Sequence, residues 1–489
     1  MLVASSISSA NALELDWSGQ FRAENHFITN YANSQSATGY GVVSGGSDNA
    51  SFQSLFLRMR PKVVVNDNVY VKSEWWAGDP VYGMFGDAAP YGTDGRQYYS
   101  TQSRGSFITA QRFWAEILTD LGVVRLGRMP LNWGLGLIYN GGDGVFDRYV
   151  STGDAISMSA KVGSITFAPS FIKYSMGNSV GGNRNVTAGT LGGTPPSGHG
   201  NVSDYSFLLR YENLDEDLDI GVNLIRRNID AAQDTTSGYL GVTGVPAGSG
   251  ITIWDIYAKK KLGKVTVAAE LPLASGNIGG VPYSTKAVAG EVQFKATSHW
   301  DLSAKVGSAP GQSNQASATN PSGFGGFFFH PNYRVGMIMF GYQLGALGGM
   351  QSQNNPTATA NNLSSPFDNP ITNATYISLG TQFGFGASDR WRMRLNFLTA
   401  SAQQVAAAGS AYFNTWSRKF ENNVSGATQG SDLGTEYDLG VSYQLDENLQ
   451  VAFDMGLFFP GTYYAFSNGG VSNARNTVFA NAIRVGINF

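Results

Sequence analysis

The chain reads as an all-β protein: a closed antiparallel transmembrane β-barrel of about eighteen strands. Three observations predict this. Runs of ten or so residues alternate apolar and polar side chains along most of the 489-residue sequence, the period-two signature of a strand with one apolar face. Short turns alternate with long Gly/Ser/Asn-rich loops, the asymmetry of an outer-membrane barrel with periplasmic turns and extracellular loops. Aromatic residues make up 12% and charged residues only 14%, against roughly a quarter charged in ordinary soluble domains.

Composition also excludes. No run of eighteen apolar residues is present, so a helical membrane span is not expected. The absence of Cys rules out disulfides, thiolate metal sites, covalent haem attachment and cysteine nucleophiles. A net charge of −3 gives no reason to expect a nucleic-acid partner.

The elements follow in order. Residues 1–12, MLVASSISSANA, end in the small-x-small pattern Ala10-Asn11-Ala12, which reads as the remnant of a secretory signal peptide without its basic region. A single barrel domain is expected over 13–489. In LELDWSGQF, Leu13, Leu15, Trp17 and Phe21 share one face; in FQSLFLRMRPKVVVN, Leu55, Leu57 and Met59 alternate with Phe56, Arg58 and Arg60. Asp67-Asn68 closes a hairpin into VYVKSEWWA, two alternating runs joined by turn residues. The unit recurs, with strands expected to start near 13, 52, 69, 107, 123, 154, 165, 204, 218, 251, 264, 286, 300, 373, 390, 434, 448 and 480. Long loops fall at 29–51, 79–106, 176–203, 228–250, 401–433 and 459–479, with a longer insertion at 310–372. Within that insertion GFFFHPNYRVGMIMFGYQLG, 325–345, has strand-like alternation. It is read as an inserted loop or plug; as a barrel hairpin it would raise the count to twenty.

The sequence ends in NAIRVGINF, with Ile483, Val485, Ile487 and Phe489 on one face. An open sheet edge in lipid leaves N–H and C=O groups without water, at several kcal/mol each. The last strand is therefore expected to pair with the first, its apolar face toward acyl chains. Outer-membrane lipid and lipopolysaccharide are the expected surroundings. Trp17, Trp300 and Trp391 near the turns, and Trp75 and Trp254 near the loops, fit interfacial girdles.

The other face is charged and basic in excess. Candidate solute-path residues in the lumen are Arg58, Arg60, Lys62, Lys72, Arg112, Arg125, Arg390, Arg392 and Arg394. Arg58-x-Arg60-x-Lys62 and Arg390-x-Arg392-x-Arg394 each stack three cations on one strand face, a column whose field concentrates anions between low-dielectric walls. Inward acids such as Glu74 and Glu116 offer a second reading, an Arg–Glu ladder whose members satisfy one another. In VRLGRMPLNWGLGLIYNGGDGVFDRY, 124–149, a strand runs into a Gly/Asp-rich loop. Asp143, Asp147 and Arg148 are candidates for gating there; a plain turn fits GGDG better than a cation site.

That stretch resembles the fifth-strand region of alginate-export porins and related proteobacterial outer-membrane proteins. YDLGVSYQLDENLQVAFDMGLFFPG, 437–461, is similar to the family's penultimate hairpin. The resemblance implies an eighteen-stranded barrel with an Arg-rich lumen that passes an anionic polysaccharide. It also implies recognition of the C-terminal strand, ending in Phe489, by the barrel-assembly machinery. The match covers about fifty residues and transfers no individual solute contact.

No catalytic residues are assigned. His26, His199, His299 and His330 are scattered, and no nucleophile elbow, His pair or phosphate loop is present. No metal and no cofactor is expected. The function expected is a porin-like outer-membrane channel for small or polymeric, anionic or saccharide solutes. The alternatives are a plugged barrel serving as receptor, adhesin or structural protein, and a sheath around a partner electron carrier. The sequence does not set the oligomeric state.

Overall fold

In the computed structural model the described residues are 14–31, 49–78, 108–176, 186–187, 190–191, 201–229, 249–278, 280–319, 321–342, 344, 367, 369–415, 419–470, 472–473 and 475–489. The segment 1–12, all of the expected loop 79–106, most of the expected loops 29–51, 176–203 and 228–250, and 345–366 of the long insertion lie outside them.

Strands β1 to β6 span Glu14–Ile28, Ala50–Asn66, Val69–Ala77, Ile108–Thr119, Gly122–Pro130 and Thr152–Val162. Strands β7 to β11 span Ile165–Met176, Asn201–Asn213, Leu218–Ile229, Ser249–Leu262 and Val265–Ile278. Strand β12 comes in two pieces, Val281–Lys286 and Val288–Lys295, both paired with β11. Strands β13 to β18 span Trp300–Ala309, Ala374–Phe385, Trp391–Ala402, Asp432–Gln444, Leu449–Pro460 and Val478–Asn488.

Each strand pairs antiparallel with the next, and β1 pairs with β18 from Gln20↔Asn488 to Ile28↔Ala480. The sheet is a closed barrel of eighteen strands, because the interruption of β12 at Ala287 is local. There Ala287 donates its N–H to the carbonyl of Pro272 (3.0 Å). The expected strand starts hold to within a few residues; β12 is the largest departure, beginning at Val281 rather than near 286.

The segment 325–345 is not a hairpin of the barrel. Its described residues are irregular, and the isolated bridge Phe328–Thr372 is its one strand-like contact among them. Its alternation has another cause: its apolar side chains pack against the inner wall. The far-side connection between β11 and β12 spans only residues 279–280, an exception to the long-loop rule.

The exterior is apolar. Trp17, Phe113, Ile156, Tyr205, Trp254, Val306, Leu379, Trp391, Leu395 and Ile483 are exposed. Soluble monomers rarely offer so continuous an apolar surface to water. Closure supplies the remaining condition for lying in lipid, that no edge is left unpaired. The molecule is a transmembrane barrel of the outer-membrane type.

Candidate functional site: a lumen crossed by two loops

Two loops on the long-loop side turn inward and pack against the wall. The first, 131–151, follows β5. Its start, LNWGLGL, places Gly134 and Gly136 at φ +59° and +84°, the left-handed region that glycine adopts without strain. Left-handed glycines aim successive N–H groups inward, a nest for an anion. Glu270 on β11 fills it, accepting from the N–H of Leu135 and, at 3.2 Å, of Leu137. Asp255, on neighbouring β10, is also fully buried.

The far end of this loop, GGDGVFD, is held by arginines. Arg22 donates to the carbonyls of Val145 (3.2 Å) and Asp147 (2.5 Å). Arg58 donates to Gly142 O and Arg112 to Gly141 O, both at 2.6 Å. Arg148 reaches the wall at Glu24 (2.7 Å). Asp147 accepts from the N–H of Gly144 (2.8 Å), a plain turn, and among the described residues no cluster of acids or histidines has the makings of a metal site.

The second loop runs from 310 to 373. Glu436 on β16 accepts from three successive N–H groups, of Met337 (2.6 Å), Ile338 (2.7 Å) and Met339 (2.6 Å). Gly336 permits that approach, since a Cβ there would lie 2.6 Å from Leu398 and 2.9 Å from the Glu436 carboxylate. Asn396 and Ser378 donate to Val335 O (3.0 and 3.1 Å), and Tyr342 meets His26 Nδ1 (2.8 Å). Behind these contacts Phe327, Phe329, Ile338, Phe340 and Leu344 join the wall residues Ala374, Leu398 and Ala480 in one buried apolar cluster. A second cluster gathers Trp133, Tyr139, Ile172, Ile225 and Ile253 under the first loop.

The two loops are tied together. Asn332 Nδ2 donates to Tyr149 O (2.6 Å), and its Oδ1 accepts from the N–H of Arg148 and Tyr149 (3.3 and 3.0 Å). The His330 N–H donates to Leu137 O (2.8 Å). Burial lowers the His330 imidazole to about 4, so its Nδ1 is free to accept from the Asn332 N–H (3.2 Å).

Below the loops, toward the turns, the inner face is a wet ladder of charges. Lys62 pairs with Asp16 (2.9 Å), and Lys72 and Arg125 share Glu116 (2.7 and 3.2 Å). Arg60 bridges Glu74 (2.9 Å) and Asp143 of the first loop (2.8 Å). Arg210 meets Asp219 (2.6 Å), Lys305 meets Glu291 (2.9 Å), and Arg394 and Arg484 share Asp454. The column 58–60–62 therefore divides: Arg58 is 1% exposed beneath a loop, while Arg60 and Lys62 reach water with acids beside them. Arg112, also 1% exposed, lies beside Glu74 (3.1 Å). Arg390 and Arg392 are exposed and, with Lys259 and Lys295, have no ion pair among the described residues. Asp143, Asp147 and Arg148 all lie in the first loop but turn to different partners, Arg60, the Gly144 N–H and Glu24.

No protein-family model matches the chain, and no curated protein matches it. The alginate-export resemblance thus stands on its two segments alone. Solved structures similar in fold include OccK1 of Pseudomonas aeruginosa (10% identity, 97% of this chain and 98% of that one, TM-score 0.48). OccK2 of the same organism, in complex with glucuronate, gives 10%, 97%, 98% and 0.49. OmpT of Vibrio cholerae, an outer membrane protein, gives 10%, 99%, 100% and 0.38.

The residues that seat the loops, Glu270, Glu436, Asn332 and Arg22, were not among the sequence candidates. Glu270 and Glu436 carried a signal: each faces inward on a strand whose own inward neighbours offer it no cation. WGLGL carried another, two glycines alternating where a strand would place side chains.

Proposed function

We propose that the protein is a porin-like channel of the outer membrane through which small polar solutes pass passively, anions in preference. The observation that carries this is the set of unpaired cations below the loops: Lys259, Lys295 and Arg392 point inward by strand alternation and Arg390 lies at the turn before β15, all exposed and without an ion pair among the described residues. Charges left over from a satisfied ladder act on whatever enters, and low-dielectric walls strengthen their field. Arg58 and Arg112 enter differently, as supports of the loop that narrows the lumen. Two loops crossing the lumen favour a small solute over a polysaccharide chain. The reading assigns no covalent chemistry.

Planar-bilayer recording tests it. The wild type is expected to conduct and to prefer anions. Arg392→Glu with Lys259→Glu should move the reversal potential in a salt gradient toward cation preference, leaving the barrel folded. Unchanged selectivity removes the anion preference. A specific observation favours a second reading: Asn332 joins the two loops across a lumen whose far half is packed with apolar side chains. A wild type without conductance would make the protein a sealed barrel, a surface receptor rather than a channel.

A further inference from the structure

The exterior bears a pattern that conduction does not use. Outward strand positions in the loop-side half carry four cations: Arg128 on β5, Lys173 on β7, Arg226 on β9 and Lys286 on β12. Their sequence neighbours Met129, Ile172, Ile225 and Ala287 are buried inward, so the cations point out. All four lie on the arc from β5 to β12. On β13–β18 and β1–β4, among the described residues, outward positions of this half carry no cation.

Each of the four lies six to nine residues along its strand from the turn-side end. With a rise of ~3.4 Å per residue and a tilt of ~40°, that is roughly 16–24 Å above the turns, against an apolar band of about 25 Å. The row therefore lies in the upper half of that band, Arg128 lowest and Lys286 nearest the headgroups, and Tyr205 and Trp254, both exposed, lie in it. A lysine or arginine facing lipid costs ~2–4 kcal/mol at the midplane and ~0–1 kcal/mol near the interface, which a long side chain reaches by extending toward the headgroups. Arg128 is held by Asp154 through two contacts (2.6 and 3.0 Å), and Arg226 donates to Thr252 Oγ1 (2.8 Å). Lys173, opposite Asp154 and Ser203 in register, has no ion pair among the described residues.

We propose that this arc binds the phosphates of the lipid A headgroup in the outer leaflet. Four cations and one acid, Asp154, give it the charge for a multiply phosphorylated lipid, and arginine offers two parallel donors to a phosphate. A second copy of the chain fits less well, because the opposite arc offers Asp432 as its one outward acid at this level among the described strand residues.

The test is titration of detergent-purified protein with bisphosphorylated lipid A, read by native mass spectrometry. The same lipid stripped of phosphate, and phosphatidylglycerol, serve as further arms. Wild type is expected to bind the phosphorylated form at least roughly tenfold tighter than either. The triple variant K173A/R226A/K286A should lose that preference. R226Q alone, with the other three cations in place, should lose part of it. K260A, removing an outward lysine of the turn-side half of β10, should lose none. Equal affinity for the stripped lipid or for phosphatidylglycerol, or an equal loss in K260A, overturns the proposal. So does a change in the number of chains per micelle without lipid, which would assign the arc to a neighbouring copy.

Discussion

Glu436 and Glu270 hold the lumen's contents in place by the same device. Each is a carboxyl group on the wall that accepts backbone N–H groups of an inserted loop, alternate ones at Glu270 and consecutive ones at Glu436. An intramolecular hydrogen bond contributes about 0.5–1.5 kcal/mol net, and a buried donor left without a partner costs a further ~1–3 kcal/mol. Glu436→Ala strands the Ile338 and Met339 donors, while the Met337 N–H keeps Asp438 Oδ2 (3.3 Å). It should speed amide exchange at Ile338 and Met339 by about a hundredfold, on the order of 3 kcal/mol of local stability, and at Met337 by less. Glu436→Gln, which keeps one acceptor oxygen, should recover part of the protection. Unaltered exchange in the alanine variant would show that apolar packing alone holds the loop. At this scale the sequence is half legible. That both glutamates face inward follows from alternation; that each receives a loop 97 to 135 residues away does not, because nothing local in the strand encodes the distant partner.

Among the elements, the loop 131–151 depends on arginines of three strands. Arg112 contacts Gly141 O, Thr152 Oγ1 and Glu74, and with Arg58 and Arg60 it surrounds one buried carboxylate. Removing one partner of a buried ion pair typically costs ~3–5 kcal/mol; two other cations remain here, so Arg112→Met should cost about 2 kcal/mol. The expected readout is faster exchange at 141–147 and larger current noise in single-channel records, with the strands unaffected. A quiet variant with a protected loop would mean that Arg22 and Arg58 suffice. The other inserted element shows why period-two reading overreaches. GFFFHPNYRVGMIMFGYQLG alternates like a strand, yet Pro331 has no N–H to give a ladder, and Gly336 and the turn at His330–Tyr333 redirect the chain. Its apolar residues answer to a wall rather than to a neighbouring strand, and a one-dimensional pattern cannot tell the two apart.

For the whole molecule the decisive event is closure. Gly19 and Phe489 exchange two backbone hydrogen bonds (2.7 and 3.0 Å) beyond the β1–β18 ladder. The Phe489 ring lies over Gly19, where an added Cβ would also meet Arg58 O at 2.6 Å. A ring covering a strand glycine is a known way to fix register. Gly19→Val should push the ring away and lower barrel stability by about 1–3 kcal/mol, the usual cost of overpacking. The folded, heat-modifiable band on gels would then be lost at lower urea than in wild type; an unmoved midpoint would deny the closing ring any role. Strand number and facing were readable because every strand meets lipid on one side, which imposes alternation all the way round. Arg128, Lys173, Arg226 and Lys286 escaped that reading because a cation on the lipid side of a strand breaks the rule that defined the strand.

Asn332 has a mechanical consequence. One amide joins two obstructions rooted on different walls, one seated on Glu270 and the other on Glu436. Neither can be displaced far without straining its neighbour's seat, so the two loops are expected to move together or not at all.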